Sequence, residues 1–289
     1  MERRKVEERI FLGLMLISTV IILSSLVLIL LTVLIKGLPY LTVDMVTKVP
    51  EGGYYLGKGG GILNAIAGSL YLAGGATLLA VLFSLPVALY LNVYSWPDSR
   101  FVFSCRFAFD VLNGVPSIVY GAFGFTIMIY LGMRASLLGG IIAIALLILP
   151  MLIRSMDEVI RLVPRELVDA SFALGATRWE TALKVVARQS LPGILTAVLI
   201  AFGRGIGDAA AVIFTAGFTD AIPNILHPLD SLLRPVATLP LAIFFQLGVP
   251  IPEVQGRAYA SALILTILIL IISVTARLLS RRLTRHVVK

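Results

Sequence analysis

Two ionisable residues stand in an apolar stretch where lipid would penalise both. They are Arg204 and Asp208, in Ala201-Phe-Gly-Arg-Gly-Ile-Gly-Asp-Ala-Ala210. A charge at bilayer depth costs roughly 2.5–3.5 kcal/mol on insertion scales, so it must face protein or water. Their i, i+4 spacing predicts a shared helix face on which they can pair. Gly203, Gly205 and Gly207 thin the helix around them and allow close approach of another helix or a ligand. Two readings fit. The pair is a structural ion pair that orients its helix. Alternatively, Arg204 offers its guanidinium to an anion in a pathway and Asp208 positions it. The forked donors of arginine match two oxygens of a tetrahedral oxyanion at once.

A second constellation is Asp110-Val-Leu-Asn-Gly-Val-Pro-Ser-Ile-Val-Tyr-Gly121. Asn113, Gly114 and Pro116 interrupt an apolar run. Proline removes a backbone donor and disfavours helix in the residue before it. Broken helices at membrane depth are tolerated where they line protein or a watery cavity. The break is either a kink without a ligand role or a bend at which Asn113, Ser117 or exposed amides touch substrate.

The third is a polar island at 165–192. Gly175 sits where a first short helix, about Pro164 to Leu174, needs left-handed backbone angles. Thr177 with Glu180 forms a capping box that starts a second. Leu167, Ala170, Ser171 and Leu174 follow a helical stripe, as do Trp179, Ala182, Leu183 and Val186. Such an island is either a solvated loop or a docking surface. The two amphipathic turns and the large ring of Trp179 favour docking.

The elements that carry these residues are membrane spans. Hydrophobic residues make up 58% of the 289, only 14% are charged, and mean hydropathy is +0.98. Soluble domains carry roughly 25% charge. The expected architecture is all-α, with six spans at about 10–35, 62–92, 107–131, 136–154, 191–217 and 258–279. A short tail at 1–9 precedes a single transmembrane domain at 10–280, and a basic tail at 281–289 follows it. With the N-terminus inside, 17 basic residues fall on the inner side and 6 on the outer. The positive-inside rule then puts both termini and the loop 155–190 in the cytoplasm. The net charge of +8 reflects this topology rather than a nucleic-acid partner. The first apolar run is too long for a signal peptide. The glycine-rich loop 36–61 reads as flexible. The proline-flanked run Val236–Val249 reads as an interfacial or partly inserted segment.

One cysteine, Cys105, excludes an internal disulfide, and His227 and His286 lie too far apart in sequence for a metal cluster. No glycine-rich phosphate loop ending in Lys-Ser/Thr is present, so this chain is not expected to bind ATP. A lipid head-group enzyme would need an interfacial His/Asp/Glu cluster, and the sequence offers none.

Asp169-Ala170-Ser171, followed by Gly175, resembles the Glu-Ala-Ala…Gly loop of ABC importer permeases. Asp stands for Glu and Ser for the second Ala. The Leu-Pro expected beyond the glycine is Ala187-Arg188, although Leu191-Pro192-Gly193 matches a later Leu-Pro-Gly. The stretches 110–121, Ala173-Leu-Gly-Ala-Thr-Arg-Trp179 and Gly203-Arg-Gly-Ile-Gly-Asp through Ile213-Phe-Thr-Ala-Gly217 resemble the phosphate branch, its PstA-type permease above all. That branch usually has Glu where Asp208 stands.

The resemblance implies a type I importer permease of the inner membrane with a cytoplasmic coupling helix. Asp169, Ala170, Ser171, Gly175, Thr177 and Trp179 would seat on a separate ATPase dimer, which binds ATP and Mg. The permease itself would bind no cofactor. A second homologous permease would complete the pathway, and an extracytoplasmic phosphate-binding protein would deliver the ion. Rival expectations are a permease for another oxyanion, such as sulfate or molybdate, and a self-contained channel or carrier.

Overall fold

The structure, a computed structural model, describes residues 2–54, 57, 59–96, 99–224 and 228–283. Its helices are, in chain order, α1 (Glu2–Gly37), α2 (Val43–Thr47), α3 (Leu63–Leu89), α4 (Arg100–Asn113), α5 (Ser117–Tyr130), α6 (Leu137–Arg161), α7 (Arg165–Ala173), α8 (Arg178–Glu180), α9 (Ala187–Gly207), α10 (Pro228–Leu232), α11 (Leu239–Leu247) and α12 (Pro252–Leu283). π-helical turns at Tyr90–Tyr94 and Thr181–Val186 prolong α3 and join α8 to α9. Five of these helical rods are long and apolar enough to cross a bilayer, and α4 with α5 makes a sixth span if the bent pair counts as one.

The central pair is α3 and α6. Lipid tails are as apolar as leucine, so helices associate through close packing of small residues rather than through hydrophobic burial. Both helices supply such a stripe. Ala73, Ala76 and Ala80 of α3 are fully buried, and Gly139, Gly140 and Ala143 of α6 face their neighbours. A Cβ on Gly140 would lie 2.7 Å from Leu72, and one on Gly75 would lie 2.7 Å from Ile141. α9 packs against both helices of this pair, and α12 packs on α9, α11 and α1. α1 stands apart. It touches α12 where Gly37 meets the backbone of Tyr259, and its apolar side chains stay exposed along its length. Since the end of α1 meets the start of α12, the two run antiparallel, and residues 2 and 283 sit at the same end of the bundle. Residues 284–289 of the expected basic tail, and both histidines, lie outside the described residues.

Three expectations are refined. First, the break expected within 107–131 is a sharp corner between two helices. α4 and α5 meet at 96°. Gly114 and Val115 turn their amides back onto Val111 and Leu112, both at 3.1 Å, and Pro116 opens α5 without a donor. The Tyr120 hydroxyl donates to the Leu112 carbonyl at 2.8 Å and ties the corner. α5 alone reaches ~21 Å, short of the ~30 Å hydrocarbon core. Second, the helix expected through 217 ends at Gly207. Asp208 takes extended angles (φ −83°, ψ 120°), and 208–217 continues as turns packed on α5 and α6. Third, the loop 36–61 is folded as a cap in its described part. Tyr54 is buried, Pro50 and Gly60 form an antiparallel bridge, and Arg257 of α12 stacks 4.7 Å above the Tyr54 ring. The Arg257 guanidinium also donates to the carbonyls of Tyr54 and Gly57, at 3.0 and 3.1 Å. Glycines there provide turns, with positive φ at Gly53, Gly57 and Gly60.

α11 occupies nine residues of the proline-flanked run. At ~13.5 Å it cannot span a bilayer. It packs on α12 and α3, with Leu239, Leu241 and Ala242 buried, as a partly inserted segment would.

Candidate functional site

The polar island folds into an elbow, residues 165–186, as its local punctuation predicts. α7 ends at Ala173, and Gly175 takes φ +82°. A Cβ at Gly175 would meet no atom within 4 Å, so the glycine answers to backbone conformation alone. Thr177 caps α8. Its hydroxyl accepts from the Glu180 amide at 3.3 Å, while Glu180 accepts from the Thr177 amide at 3.1 Å. Lys184 pairs with Glu180 at 3.1 Å. Ser171 is buried and shares a 2.9 Å hydrogen bond with Thr181, which pins α7 to the start of the next rod. Asp169, Ala170 and Thr177 lie on the surface. Beside them Leu162 (81%), Leu174 (89%) and Trp179 (62%) present apolar side chains at the same end of the bundle. Large exposed apolar side chains rimmed by polar ones mark a contact surface.

From Arg178 the helix continues through the π turn and α9 to Gly207 without a break in the chain of helical residues. Trp179 and Arg204 are therefore two points on one rod, separated by ~38 Å. The elbow and Arg204 thus share one continuous helical element.

At the far end of that rod the expected ion pair is not made. Because α9 stops at Gly207, Asp208 leaves the helical face, and its Oδ1 accepts from the Ala211 amide at 2.8 Å. Arg204 instead places a guanidinium nitrogen 3.4 Å from the sulfur of Met151 on α6 and remains exposed. It also lies within electrostatic reach of Tyr120 on α5. Ser117 stands one turn before Tyr120, and Asn113 sits at the corner that Tyr120 ties. The structure thus gathers Arg204, Tyr120 and Ser117 around the α4–α5 bend, and sets Asp208 to a structural task nearby. Among the described residues, the side chains of Asn113 and Ser117 form no hydrogen bond, which leaves them open to a ligand. Of the three glycines around Arg204, Gly205 faces Ile144 at 3.0 Å, whereas Gly203 opens onto free space.

Sequence reasoning missed a charge cluster between the elbow and the bend. Asp157 of α6 is 1% exposed. Arg106 of α4 donates to both its carboxylate oxygens at 2.9 Å, and Asn92 adds a bond at 2.8 Å. Arg154, one turn away, lies 3.2 Å from Asp110, 3.3 Å from Glu158 and 3.7 Å from Asp157. In the sequence Arg106 and Arg154 counted only toward topology, Asp110 stood only at the start of the broken run, and Asp157, Glu158 and Asn92 were not singled out. Asp157 lies three residues past the span expected to end at 154, and only the longer helix α6 places it where a charge demands a partner.

Known proteins share this architecture. The model of the family described as "Binding-protein-dependent transport system inner membrane component" matches residues 80–285. The phosphate transport system permease protein PstA of Haemophilus influenzae is 32% identical over 95% of this chain and 94% of its own length. PstA 1 of Mycobacterium tuberculosis is 36% identical over 78% of this chain and 73% of its own. A probable ABC transporter permease protein of Bacillus subtilis, YqgI, is 29% identical over 95% of both. Among solved structures, a chain of the MetNI methionine ABC transporter, in an inward-facing conformation, superposes with a TM-score of 0.58 at 18% identity, covering 77% of this chain and 96% of that one. That likeness speaks for the fold. The bent span, the folded elbow and these matches together place this chain in the family of inner-membrane permeases of binding-protein-dependent transport systems.

Proposed function

We propose that this chain is one permease of an ATP-driven importer of inorganic phosphate. The observation that carries the reading is Arg204: a guanidinium at membrane depth, unpaired by Asp208, on an exposed face beside a broken helix. Lipid would disfavour it there, so that face must meet a partner protein or water. An arginine without a carboxylate partner keeps its full charge and its fork of donors for an oxyanion. The relatives named for phosphate transport support the choice of ion.

A second, homologous permease covers the exposed faces of α5 and α9 and completes the pathway. An ATPase dimer, which holds ATP and Mg, docks on Asp169, Ala170, Gly175 and Trp179. A phosphate-binding protein delivers the ion at the opposite end. Both termini lie in the cytoplasm, as the charge distribution requires. ATP binding closes the ATPase dimer and moves the elbow. The rod from Trp179 to Arg204 then tilts, and the cavity changes the side to which it opens. Such a switch works only if the two states differ in their contacts, and the docked elbow supplies that difference. A single arginine attracts the ion without holding it too tightly to release.

The test is Arg204→Gln in the assembled complex. Phosphate uptake is expected to fall about a hundredfold, since a charge-assisted bidentate contact is lost, while assembly and ATP hydrolysis persist. Wild-type uptake by that variant would remove Arg204 from the pathway. Labelled sulfate and molybdate in the same assay separate the oxyanions.

A further inference from the structure

Between α7 and the adjoining ends of α3, α4 and α6 lies a cavity of about 550 Å³. Arg106, Arg161 and Arg165 all border it. Arg106 is neutralised by Asp157. Among the described residues, Arg161 and Arg165 form no ion pair, and the carboxylate on the cavity wall, Asp169, forms none either. Its described lining therefore carries an excess of positive charge. Its mouth holds Trp96, which is 80% exposed, and on the preceding turn Tyr90 and Tyr94 stack with centroids 6.0 Å apart. Tryptophan and tyrosine gather at the membrane–water interface. Basic pockets between helices at that level suit anionic head groups.

We propose that this cavity binds the phosphate group of an anionic lipid, with Arg161 and Arg165 donating to its non-ester oxygens. The exposed rings of Phe103 and Phe107, on the helix that carries Arg106, offer the acyl chains an apolar surface. The site is separate from Arg204 and does not depend on which ion is transported. Its consequence concerns the elbow: Arg165, Asp169 and Phe172 turn one face of α7 to the cavity, so a bound head group sits against the docking helix and borders Asp169 at the edge of its docking surface. The same oxyanion chemistry could come from free phosphate, and the experiment separates the two.

The full complex is placed in nanodiscs of phosphatidylcholine, with and without phosphatidylglycerol, and retained lipid is read by native mass spectrometry. A photo-crosslinker at Val163 reports what enters the cavity. Wild type is expected to retain phosphatidylglycerol selectively and to crosslink to it. The Arg161→Gln/Arg165→Gln double variant is expected to retain it about thirtyfold more weakly, the factor two basic side chains supply at an anionic surface. Both residues are exposed, so the variant should fold. Equal retention by variant and wild type would overturn the proposal. So would displacement of the lipid by inorganic phosphate, which would assign the cavity to the free ion, or a crosslink to the ATPase, which would assign it to protein.

Discussion

Removing the Asp157 carboxylate should destabilise the protein far more than removing its neighbour Asp110. Both are acidic and both face arginine, but their surroundings differ. Asp157 is 1% exposed and receives two Arg106 bonds at 2.9 Å and one Asn92 bond at 2.8 Å. Asp157→Ala leaves the Arg106 guanidinium, itself 16% exposed, without its counter-charge. Breaking a buried pair from one side costs about 3–5 kcal/mol, because the survivor is a charge without compensation. That is roughly two to three and a half orders of magnitude in the folding equilibrium. The Asp110 side chain is 52% exposed and meets Arg154 at 3.2 Å. Exposed pairs contribute about 0–1 kcal/mol, so Asp110→Ala should be nearly silent. Asp157→Asn, which keeps shape and one acceptor but not charge, should fall between. The assay is unfolding of the purified complex in detergent micelles, with all variants at one lipid and salt composition. Equal unfolding of Asp157→Ala and Asp110→Ala would refute this, as would failure of Arg106→Met, added to Asp157→Leu, to recover most of the loss.

Other outcomes follow from single positions. Gly175→Ala meets no neighbouring atom, yet forces a side chain into φ +82° and should cost about 1–2 kcal/mol through the backbone alone, weakening ATPase stimulation more than it weakens the bundle; unchanged stimulation would contradict this. Gly68→Ala would drive a methyl into the Ala237 carbonyl where α3 meets the segment leading to α11, and thermal unfolding should show a loss of about 1–3 kcal/mol; an unchanged transition would mean that segment yields freely. Burial pushes the Tyr54 phenol up to about 12 from its ordinary 10.0, against the opposing pull of Arg257. A raised folded-state pKa gives stability that is whole below pH ~10 and lost as pH climbs toward ~12. Ultraviolet titration of wild type against Tyr54→Phe should therefore show one late phenolate and an outer cap that loosens in that window; a Tyr54 that ionises with the other tyrosines would refute it.

The readable parts were those set by neighbours in sequence. The elbow needed only Gly175 and the Thr177/Glu180 box, whose geometry spans a few residues. The helices over 10–35, 62–92, 136–154 and 258–279 needed only composition and length. What stayed hidden depended on distant partners. Arg106 and Asp157 are 51 residues apart, and nothing local in either announces the other. Pro116 signalled a break, but its 96° angle is held by the Tyr120 hydroxyl reaching back to Leu112. The end of α9 at Gly207 is set by the 208–217 turns packing against Gly121, Gly139 and Gly140, so the local i, i+4 rule for Arg204 and Asp208 lost to tertiary contact. The loop 36–61 gained its order from Arg257, some 200 residues away.

In the proposed importer, work reaches this chain through the elbow from a separate ATPase. Phosphate uptake into liposomes holding either this chain alone or the complete assembly, with and without ATP, measures this. Accumulation against a gradient is expected only in the complete assembly, only with ATP, and is abolished by a bulky charged residue at Ala170. Rapid anion movement by the chain alone would contradict it.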